Sequence, residues 1–182
     1  MYTSVAVFCG SKNGNDPIYI QHATGLGKLL AQHQLTLVYG GGNTGLMGAV
    51  ANAMLAHKGK VIGVIPEILK DRERHHLGIT ELKIVSDMHT RKKMMYDLCD
   101  VAIILPGGNG TLDEMFEMAT WNALTIHDKK IILLNTAGYY NNLIAHINVM
   151  QVNGFLHDDW RNMLDIYDTP DAIFDDWATG KN

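Results

Sequence analysis

Residues 101–114 read VAIILPGGNGTLDE, and this segment decides the fold of the chain. It opens with five apolar residues, and a short apolar run that ends at proline and glycine is typical of a buried strand. Apolar residues at helical spacing follow the glycines and predict a helix over residues 111–124. A strand that turns through glycines into a helix is the building unit of an α/β fold.

The glycines of this turn, Gly107, Gly108 and Gly110, predict an anion site. A glycine-rich connection leaves the backbone N–H groups of the helix N-terminus free to bind a phosphate. Asp113 and Glu114 follow in what we expect to be the first helical turn. A carboxylate beside a bound phosphate is unfavourable unless it acts on the substrate. The segment therefore predicts phosphate recognition with a carboxylate at the reacting bond.

The same residues also fit a purely structural interpretation. The spacing of Thr111 and Glu114 matches a capping box, in which the hydroxyl and the carboxylate each accept a backbone N–H group. Acidic residues near a helix N-terminus also complement the helix dipole. A plain cap needs none of the glycines before Asn109, which favours the functional interpretation slightly.

The composition predicts one globular domain over residues 1–182. The chain has 182 residues, 47% of them hydrophobic and 19% charged, with a net charge of −4. An acidic balance argues against a nucleic-acid partner and against a membrane-surface role. The N-terminus lacks the pattern of a signal peptide, and no apolar run approaches the roughly 20 residues that span a bilayer. Cys9 and Cys99 are isolated, which favours a reducing cytoplasm.

Strand and helix patterns alternate along the chain, and alternation of this kind predicts a parallel sheet covered on both faces. The predicted strands are residues 4–9, 35–39, 61–65, 81–85, 101–105 and 131–134. The predicted helices are residues 18–32, 45–57, 88–99, 111–124 and 139–152. A further helix begins near Pro170, and the rest of the tail has no clear pattern. The charged stretch 66–78 is either a loop over a site or a solvated connection.

Residues 40–45, GGGNTG, formally match the dinucleotide-binding pattern G-x-G-x-x-G. They follow a predicted strand and open a helix, and Glu67 lies where a ribose-binding acid would be expected. The match is weak because three adjacent glycines satisfy many patterns, and because it follows the second strand. The sequence lacks a Walker A lysine, an H-E-x-x-H, a Cys-x-x-Cys and a G-x-S-x-G, so it predicts neither a metal site nor a serine nucleophile.

Arg91 stands in the segment SDMHTRKKM, residues 86–94. At helical spacing it shares a stripe with Met95 and Leu98, and a buried guanidinium on an apolar stripe requires an anionic partner. The alternative is a solvated arginine beside Lys92 and Lys93, and spacing alone favours this alternative.

Four segments together resemble the LONELY GUY family of phosphoribohydrolases, whose members are often mislabelled lysine decarboxylases. The family signature P-G-G-x-G-T-x-x-E is complete from Pro106 to Glu114. Its companion segments are present in the family's order at residues 9–11 (CGS), 39–48 (YGGGNTGLMG) and 86–92 (SDMHTRK). The resemblance covers residues 5–155.

The resemblance implies a Rossmann-like, doubly wound parallel sheet that assembles as a homodimer. It implies hydrolysis of the N-glycosidic bond of adenosine 5′-monophosphates, including N6-substituted ones, with release of a free base (a cytokinin) and ribose 5-phosphate. It implies no metal, nicotinamide or pyridoxal phosphate. A nucleotide- or dinucleotide-binding module without turnover stays open as the alternative.

The resemblance also assigns residues, with Arg91 and Glu114 as the catalytic pair. The substrate-binding positions that it implies are Gly41, Gly42, Glu73, Lys92, Gly108, Asn109, Gly110, Thr111, Leu112, Asp113 and Thr120. The stretch around Glu73 departs from the plant sequences, with Asp71 in place of proline and His75-His76 in place of a small polar pair. This departure leaves the selectivity for the base open.

Overall fold

The computed structural model describes residues 2–70 and 75–179, so the predicted substrate contact Glu73 lies outside the described residues. Within these ranges the chain forms one parallel sheet with strand order β4-β3-β2-β1-β5-β6-β7. The strands are β1 Ser4–Phe8, β2 Thr36–Tyr39, β3 Val61–Pro66, β4 Glu81–Val85, β5 Val101–Ile104, β6 Ile131–Leu134 and β7 Leu164–Tyr167.

Six α-helices cover the two faces of this sheet. They are α1 Pro17–Gln32, α2 Gly45–Ala56, α3 Met88–Asp97, α4 Asn109–Ala123, α5 Asn141–Val152 and α6 Pro170–Thr179. Single 3₁₀ turns stand at Glu67–Leu69, Thr136–Gly138 and Trp160–Asn162. This doubly wound α/β architecture confirms the predicted fold class. None of the helices in the described ranges is long and apolar enough to cross a membrane.

The core lies in two layers because successive strand residues point to opposite faces of the sheet. Val5 and Val7 of β1 pack into the layer beneath α1, α2 and α6, and the alternate residues Ala6 and Phe8 pack beneath α3, α4 and α5. The central strand β5 is fully buried on both sides, as its unbroken apolar sequence predicts.

The start of α3 is fixed by Asp87, whose carboxylate accepts the backbone N–H of Thr90 at 2.9 Å. Hydrogen bonds from the Ser86 hydroxyl and from Thr90 hold the pKa of Asp87 far below its usual value. An aspartate at this position satisfies N–H groups that have no partner inside the helix. The cap therefore sets the register of α3, which carries Arg91.

The structure corrects three predicted elements. Strand β7 is absent from the prediction, because Leu164–Tyr167 is a four-residue edge strand that is only half-buried and therefore carries a weak apolar signal. Helix α5 begins at Asn141 and not at residue 139, because the 3₁₀ turn Thr136–Gly138 precedes it. Helix α4 begins at Asn109, two residues before the predicted start.

Candidate active site

The site lies where the chain changes direction across the sheet. Strand β1 is flanked by β2 on one side and by β5 on the other, so the connections that leave β1 and β5 run to opposite sides of the sheet. A crevice opens beyond the carboxyl ends of strands at such a point. A cavity of about 330 Å³ occupies it, lined by residues 7–11, Gly40, Met47, Leu69, Met88, Arg91, Met95, residues 108–111, Asp113 and Glu114.

Helix α4 begins at the edge of this cavity, and its start excludes the capping box. Gly108 is the N-cap residue in an extended conformation and offers no side-chain cap. Thr111 is the third residue of the helix and Glu114 stands in the second turn, so neither occupies a capping position. The capping interpretation of this pair is therefore wrong. The first N–H groups of the helix have no partner inside it, and they lie at the cavity.

The glycine turn before α4 packs tightly against the loop after β1. A Cβ atom at Gly107 would lie 2.2 Å from the Thr111 hydroxyl and 2.9 Å from the backbone nitrogen of Gly10, so a side chain does not fit. The Gly10 N–H donates to the carbonyl of Pro106 at 3.0 Å. Gly108 and Gly110 have no atom within 4 Å of a would-be Cβ, which leaves their side of the backbone open.

Two tyrosines behind the turn hold it in place. The hydroxyl of Tyr139 donates to the carbonyl of Gly107 at 2.7 Å, and that of Tyr140 donates to the carbonyl of Leu105 at 2.6 Å. Burial is the main cause that raises the pKa of Tyr140, so its hydroxyl stays protonated and keeps donating. These contacts could not be predicted from the sequence, because the tyrosines follow β6 and the turn follows β5.

Arg91 is buried in the cavity wall and is not a solvated residue. Its relative exposure is 5%, and its Nη2 atom donates to the carbonyl of Gly40 at 3.2 Å. Its Nη1 atom lies 3.8 Å from the sulfur of Met88. The solvated interpretation is wrong because Asp87 starts α3 in the register that turns position 91 inward. The predicted stripe is confirmed, since Met95 is fully buried beside it.

Glu114 enters the same cavity from α4, and its relative exposure is 9%. The pKa of Cys9, the residue after β1, is affected by both charged residues. Burial raises the pKa of the Cys9 thiol well above its usual range, Glu114 raises it further, and Arg91 lowers it. Cys9, Arg91 and Glu114 line the same cavity. The thiol is neutral there, so it is not an activated nucleophile.

Lys92 is not among the cavity-lining residues, and it links α3 to α4. Its relative exposure is 6%, and its ammonium lies 3.0 Å from Asp113 Oδ2 and 2.9 Å from Glu117 Oε2. Burial lowers the pKa of Lys92, but the hydrogen bonds that its ammonium donates to Glu117 and Asp113 outweigh this effect and leave the pKa raised. The Tyr96 hydroxyl lies 2.9 Å from the carbonyl oxygen of Glu114 and 3.1 Å from Glu117 Oε2.

We call Lys92, Tyr96, Asp113 and Glu117 the α3–α4 clamp. It stands directly behind Arg91 and Glu114 and joins the helices that carry them. The sequence prediction missed Tyr96 and Glu117. Their signal was their spacing, since Tyr96 is one helical turn after Lys92 and Glu117 one turn after Glu114.

Gly41 and Gly42 lie outside the cavity lining, although Gly40 belongs to it. The N–H of His76 donates to the carbonyl of Gly41 at 2.9 Å, and His75 forms an antiparallel bridge with Gly42. A dinucleotide pyrophosphate on this loop would have to displace that segment. Glu67, the predicted ribose ligand, lies 3.5 Å from the ammonium of Lys70 instead. These contacts argue against the dinucleotide-binding alternative.

The structure separates Leu112 and Thr120 from Arg91 and Glu114. Leu112 packs against the core beneath α4. The hydroxyl of Thr120 donates to the carbonyl of Phe116 at 2.7 Å and faces a second, apolar cavity of about 320 Å³ between α4, α5 and residues 155–164. Across residues 2–70 and 75–179, no group of three or more His, Cys, Asp and Glu side chains is arranged to hold a metal ion.

Comparison with known proteins gives consistent matches in sequence. A family described as possible lysine decarboxylases matches residues 47–177. A cytokinin riboside 5′-monophosphate phosphoribohydrolase of Rhodococcoides fascians is 48% identical over 154 residues, which cover 84% of this chain and 78% of the relative. An enzyme of the same name from Arabidopsis thaliana is 44% identical over 163 residues, which cover 90% and 76%.

Solved structures match the fold at low sequence identity. The molybdenum cofactor binding protein of Rippkaea orientalis superposes with a TM-score of 0.74 at 20% identity, over 100% of this chain and 99% of that one. The Moco carrier protein of Chlamydomonas rheinhardtii gives a TM-score of 0.72 at 16% identity, over 98% and 97%. At such identities the likeness shows the fold alone.

Proposed function

This chain belongs to the family of cytokinin riboside 5′-monophosphate phosphoribohydrolases, and from this premise we propose how its residues act. The reaction is hydrolysis of the N-glycosidic bond of adenosine-type 5′-monophosphates, which releases the free base and ribose 5-phosphate. One observation carries the proposal for the site: Arg91 and Glu114 line one cavity together with the open N-terminus of α4.

The N-terminus of α4 binds the 5′-phosphate. Its first N–H groups have no partner inside the helix, Gly108 and Gly110 leave the backbone open, and the helix dipole favours an anion there. Asn109 and Thr111 line the same part of the cavity. A phosphate held at this end directs the ribose towards Glu114, which follows one turn later on the same helix.

Glu114 acts on the sugar and on water. Breaking a ribosyl bond creates positive charge on the sugar ring, and a carboxylate in a poorly solvated cavity stabilises that charge. The same carboxylate positions a water molecule and accepts its proton as the water oxygen bonds to C1′ of the ribose. The N-glycosidic bond breaks with its electron pair on the base, and the water supplies the hydroxyl group of ribose 5-phosphate. The proton that Glu114 accepted passes to the departing base, which leaves neutral.

Arg91 offsets the negative charge that develops on the departing base. Its guanidinium is buried and anchored on Gly40, so it is oriented before the substrate binds. Gly40 follows β2 and Glu114 follows β5, so the two groups approach the bond from opposite sides of β1. Lys92 serves this arrangement through the α3–α4 clamp and not by touching the substrate.

A panel of nucleoside monophosphates tests the activity. We expect release of free base from AMP or from N6-substituted AMP, measured by chromatography, and little release from the nucleosides because they lack the phosphate. Tight binding of a monophosphate without any release of base would favour the alternative, a nucleotide-binding module without turnover.

We also infer a homodimer, supported by a partly exposed apolar surface on α4 and α5. Phe116, Leu124 and Phe155 line the second cavity and are exposed, and Val149 and Val152 of α5 are exposed as well. Contiguous apolar patches of this kind often mark association surfaces. Sedimentation at micromolar concentration tests this, and a species of 20.2 kDa alone would contradict it.

We propose a cytoplasmic enzyme that needs no metal. Cys9 and Cys99 are both buried free thiols, which suits a reducing compartment. The mechanism uses only the carboxylate, the guanidinium and backbone N–H groups, so turnover should survive exhaustive chelation. A loss with chelator that a divalent ion restores would contradict this part of the proposal.

A further inference from the structure

Leu69, between β3 and β4, belongs to the lining of the cavity, and two adjacent histidines further along this connection attach it to the rest of the fold. The segment leaves β3 at Pro66, places Leu69 in the cavity lining and returns to β4 at Glu81. His75 and His76, which we call the histidine latch, stand between these points.

His75 connects the histidine latch to Lys70. Both its backbone N–H and its Nδ1 atom donate to the carbonyl of Lys70, at 3.3 and 3.1 Å. Lys70 in turn donates its N–H to the carbonyl of Glu67 at 3.2 Å. These bonds connect the latch to the 3₁₀ turn that carries Leu69.

His76 makes the attachment to the neighbouring elements, and its relative exposure is 7%. Its backbone N–H donates to the carbonyl of Gly41 at 2.9 Å. Its Nε2 atom donates to Asn52 Oδ1 at 3.1 Å, and Asn52 donates to Asn43 Oδ1 at 3.3 Å. Its Nδ1 atom accepts the N–H of Gly78 at 3.0 Å. One imidazole thus joins the segment to helix α2.

These bonds require one neutral tautomer of His76, with its proton on Nε2. A side chain held by a donor on one ring nitrogen and an acceptor on the other is oriented in two directions at once. Burial lowers the pKa of His76, which favours the same neutral form.

We propose that His76 is a positioning residue that latches the β3–β4 segment to the glycine-rich loop and α2, and thereby holds Leu69 in the wall against which the substrate binds. This role rests on the proposed hydrolysis of nucleoside monophosphates. We expect Arg91 to keep its position when the imidazole is removed, because its acceptor Gly40 directly follows β2 and the backbone N–H of His76 still donates to the neighbouring Gly41. The latch therefore governs the binding of the substrate more than the chemical step.

Three substitutions of His76 remove the two hydrogen bonds of its imidazole separately or together. His76→Asn keeps an acceptor near the position of Nδ1 for the N–H of Gly78, as in an Asx turn, and loses the donor to Asn52. His76→Gln keeps a donor at the distance of Nε2 and loses the acceptor. His76→Ala loses both. Leu77→Ala is the matched control, since Leu77 lies in the same segment and is 87% exposed.

The first measurement is steady-state hydrolysis of AMP. We expect His76→Ala to raise KM about tenfold, the worth of an ordinary hydrogen bond left unmade, while kcat changes little. His76→Asn and His76→Gln should each restore part of the KM, and Leu77→Ala should match the parent. An unchanged KM in His76→Ala, or a fall in kcat alone, would overturn the proposal.

The second measurement needs no substrate. Amide hydrogen exchange of Gly78 and Lys70 should be about tenfold faster in His76→Ala, because each loses the restraint that the latch provides. Gly78 should stay protected in His76→Asn. Equal exchange in the parent and in His76→Ala would overturn the latch even in an active enzyme. A parent that releases no base, with exchange as expected, would instead overturn the proposed hydrolysis.

Discussion

The guanidinium of Arg91 donates to the carbonyl of Gly40 at 3.2 Å across a separation of 51 residues. The bond exists because position 40 has no side chain, since a Cβ atom there would lie 2.1 Å from Nη2 of Arg91. Gly40 belongs to the segment that formally matches a dinucleotide-binding loop, but in the structure it accommodates Arg91. The absence of a side chain leaves room for the guanidinium, and the carbonyl of Gly40 accepts its hydrogen bond.

Gly40→Ala should therefore impair catalysis by displacing the guanidinium. We expect hydrolysis of AMP to fall roughly 10- to 100-fold, since a misplacement of about 1 Å can cost 10²-fold. The control is Gly25→Ala, a helical position where the nearest atom to a would-be Cβ is 4.0 Å away. Normal turnover by a folded Gly40→Ala protein would show that the position of Arg91 is not critical.

Lys92→Met tests the α3–α4 clamp. Removing the ammonium leaves the partly buried carboxylate of Glu117 without its ion pair, so we expect the free energy of unfolding to fall by about 2 kcal/mol. Turnover should fall as well, because Tyr96 and Glu117 no longer hold the backbone of Glu114 firmly. Urea denaturation and steady-state kinetics measure the two effects.

The adjacent Lys93→Met is the matched control for the clamp. Lys93 pairs with Asp97 at 2.6 Å on the exposed side of α3, and surface pairs of this kind contribute about 0.5 kcal/mol or less. A direct role of Lys92 in substrate binding would give a different result. If Lys92→Met keeps its stability and only KM rises, Lys92 binds the substrate directly, as the family resemblance implied.

Stability should fall as the pH is lowered below about 6.5, the ordinary pKa of histidine. Burial lowers the pKa of His22, His76 and His127 in the folded protein, and Lys129 lowers that of His127 further. The unfolded chain then binds more protons than the folded one below this pH, so the free energy of unfolding decreases until the folded-state pKa values are reached.

Urea denaturation at pH 7.5 and 5.5 measures this effect, and His76→Asn should reduce the difference because it removes one of the three groups. Asp87 and Asp100 have lowered pKa values, so their contribution is lost only in more acidic solution. A stability that is equal at the two pH values would contradict the buried, neutral state of these histidines.

The sheet could be predicted because each central strand is a continuous apolar run, and the glycine turn after β5, which the sequence singles out as an anion site, lies at the first cavity. What the sequence could not supply was the register of single side chains. Whether Arg91 faces water or the cavity depends on the cap at Asp87. Whether Glu114 caps its helix depends on a start two residues earlier, at Asn109. Such shifts lie within the uncertainty of any helix boundary taken from a pattern.

Contacts between distant segments could not be predicted from the sequence either. The bond from Tyr140 to Leu105 and the attachment of His76 to Asn52 join residues 35 and 24 positions apart. Nothing in the local pattern of either partner indicates them. The family resemblance assigned Arg91 and Glu114 as catalytic residues, and both line the first cavity. Lys92, Leu112 and Thr120, which it assigned to substrate binding, lie outside that lining.

Glu114→Gln provides the decisive test of the catalytic assignment. The change preserves shape and hydrogen bonding but removes the negative charge, and Glu114 holds no capping position whose loss could explain an effect. If the carboxylate stabilises the sugar cation and accepts a proton from water, hydrolysis of AMP should fall roughly 10²–10⁴-fold while the nucleotide still binds. Glu81→Gln, on the exposed strand β4, controls for the chemical change itself.

Arg91→Ala should cause a loss of similar size. The double variant should lose less than the product of the two single losses, because the effects of residues that act on one transition state are not additive. Near-parental hydrolysis by a folded Glu114→Gln protein would leave the cavity without its base and refute the proposed mechanism.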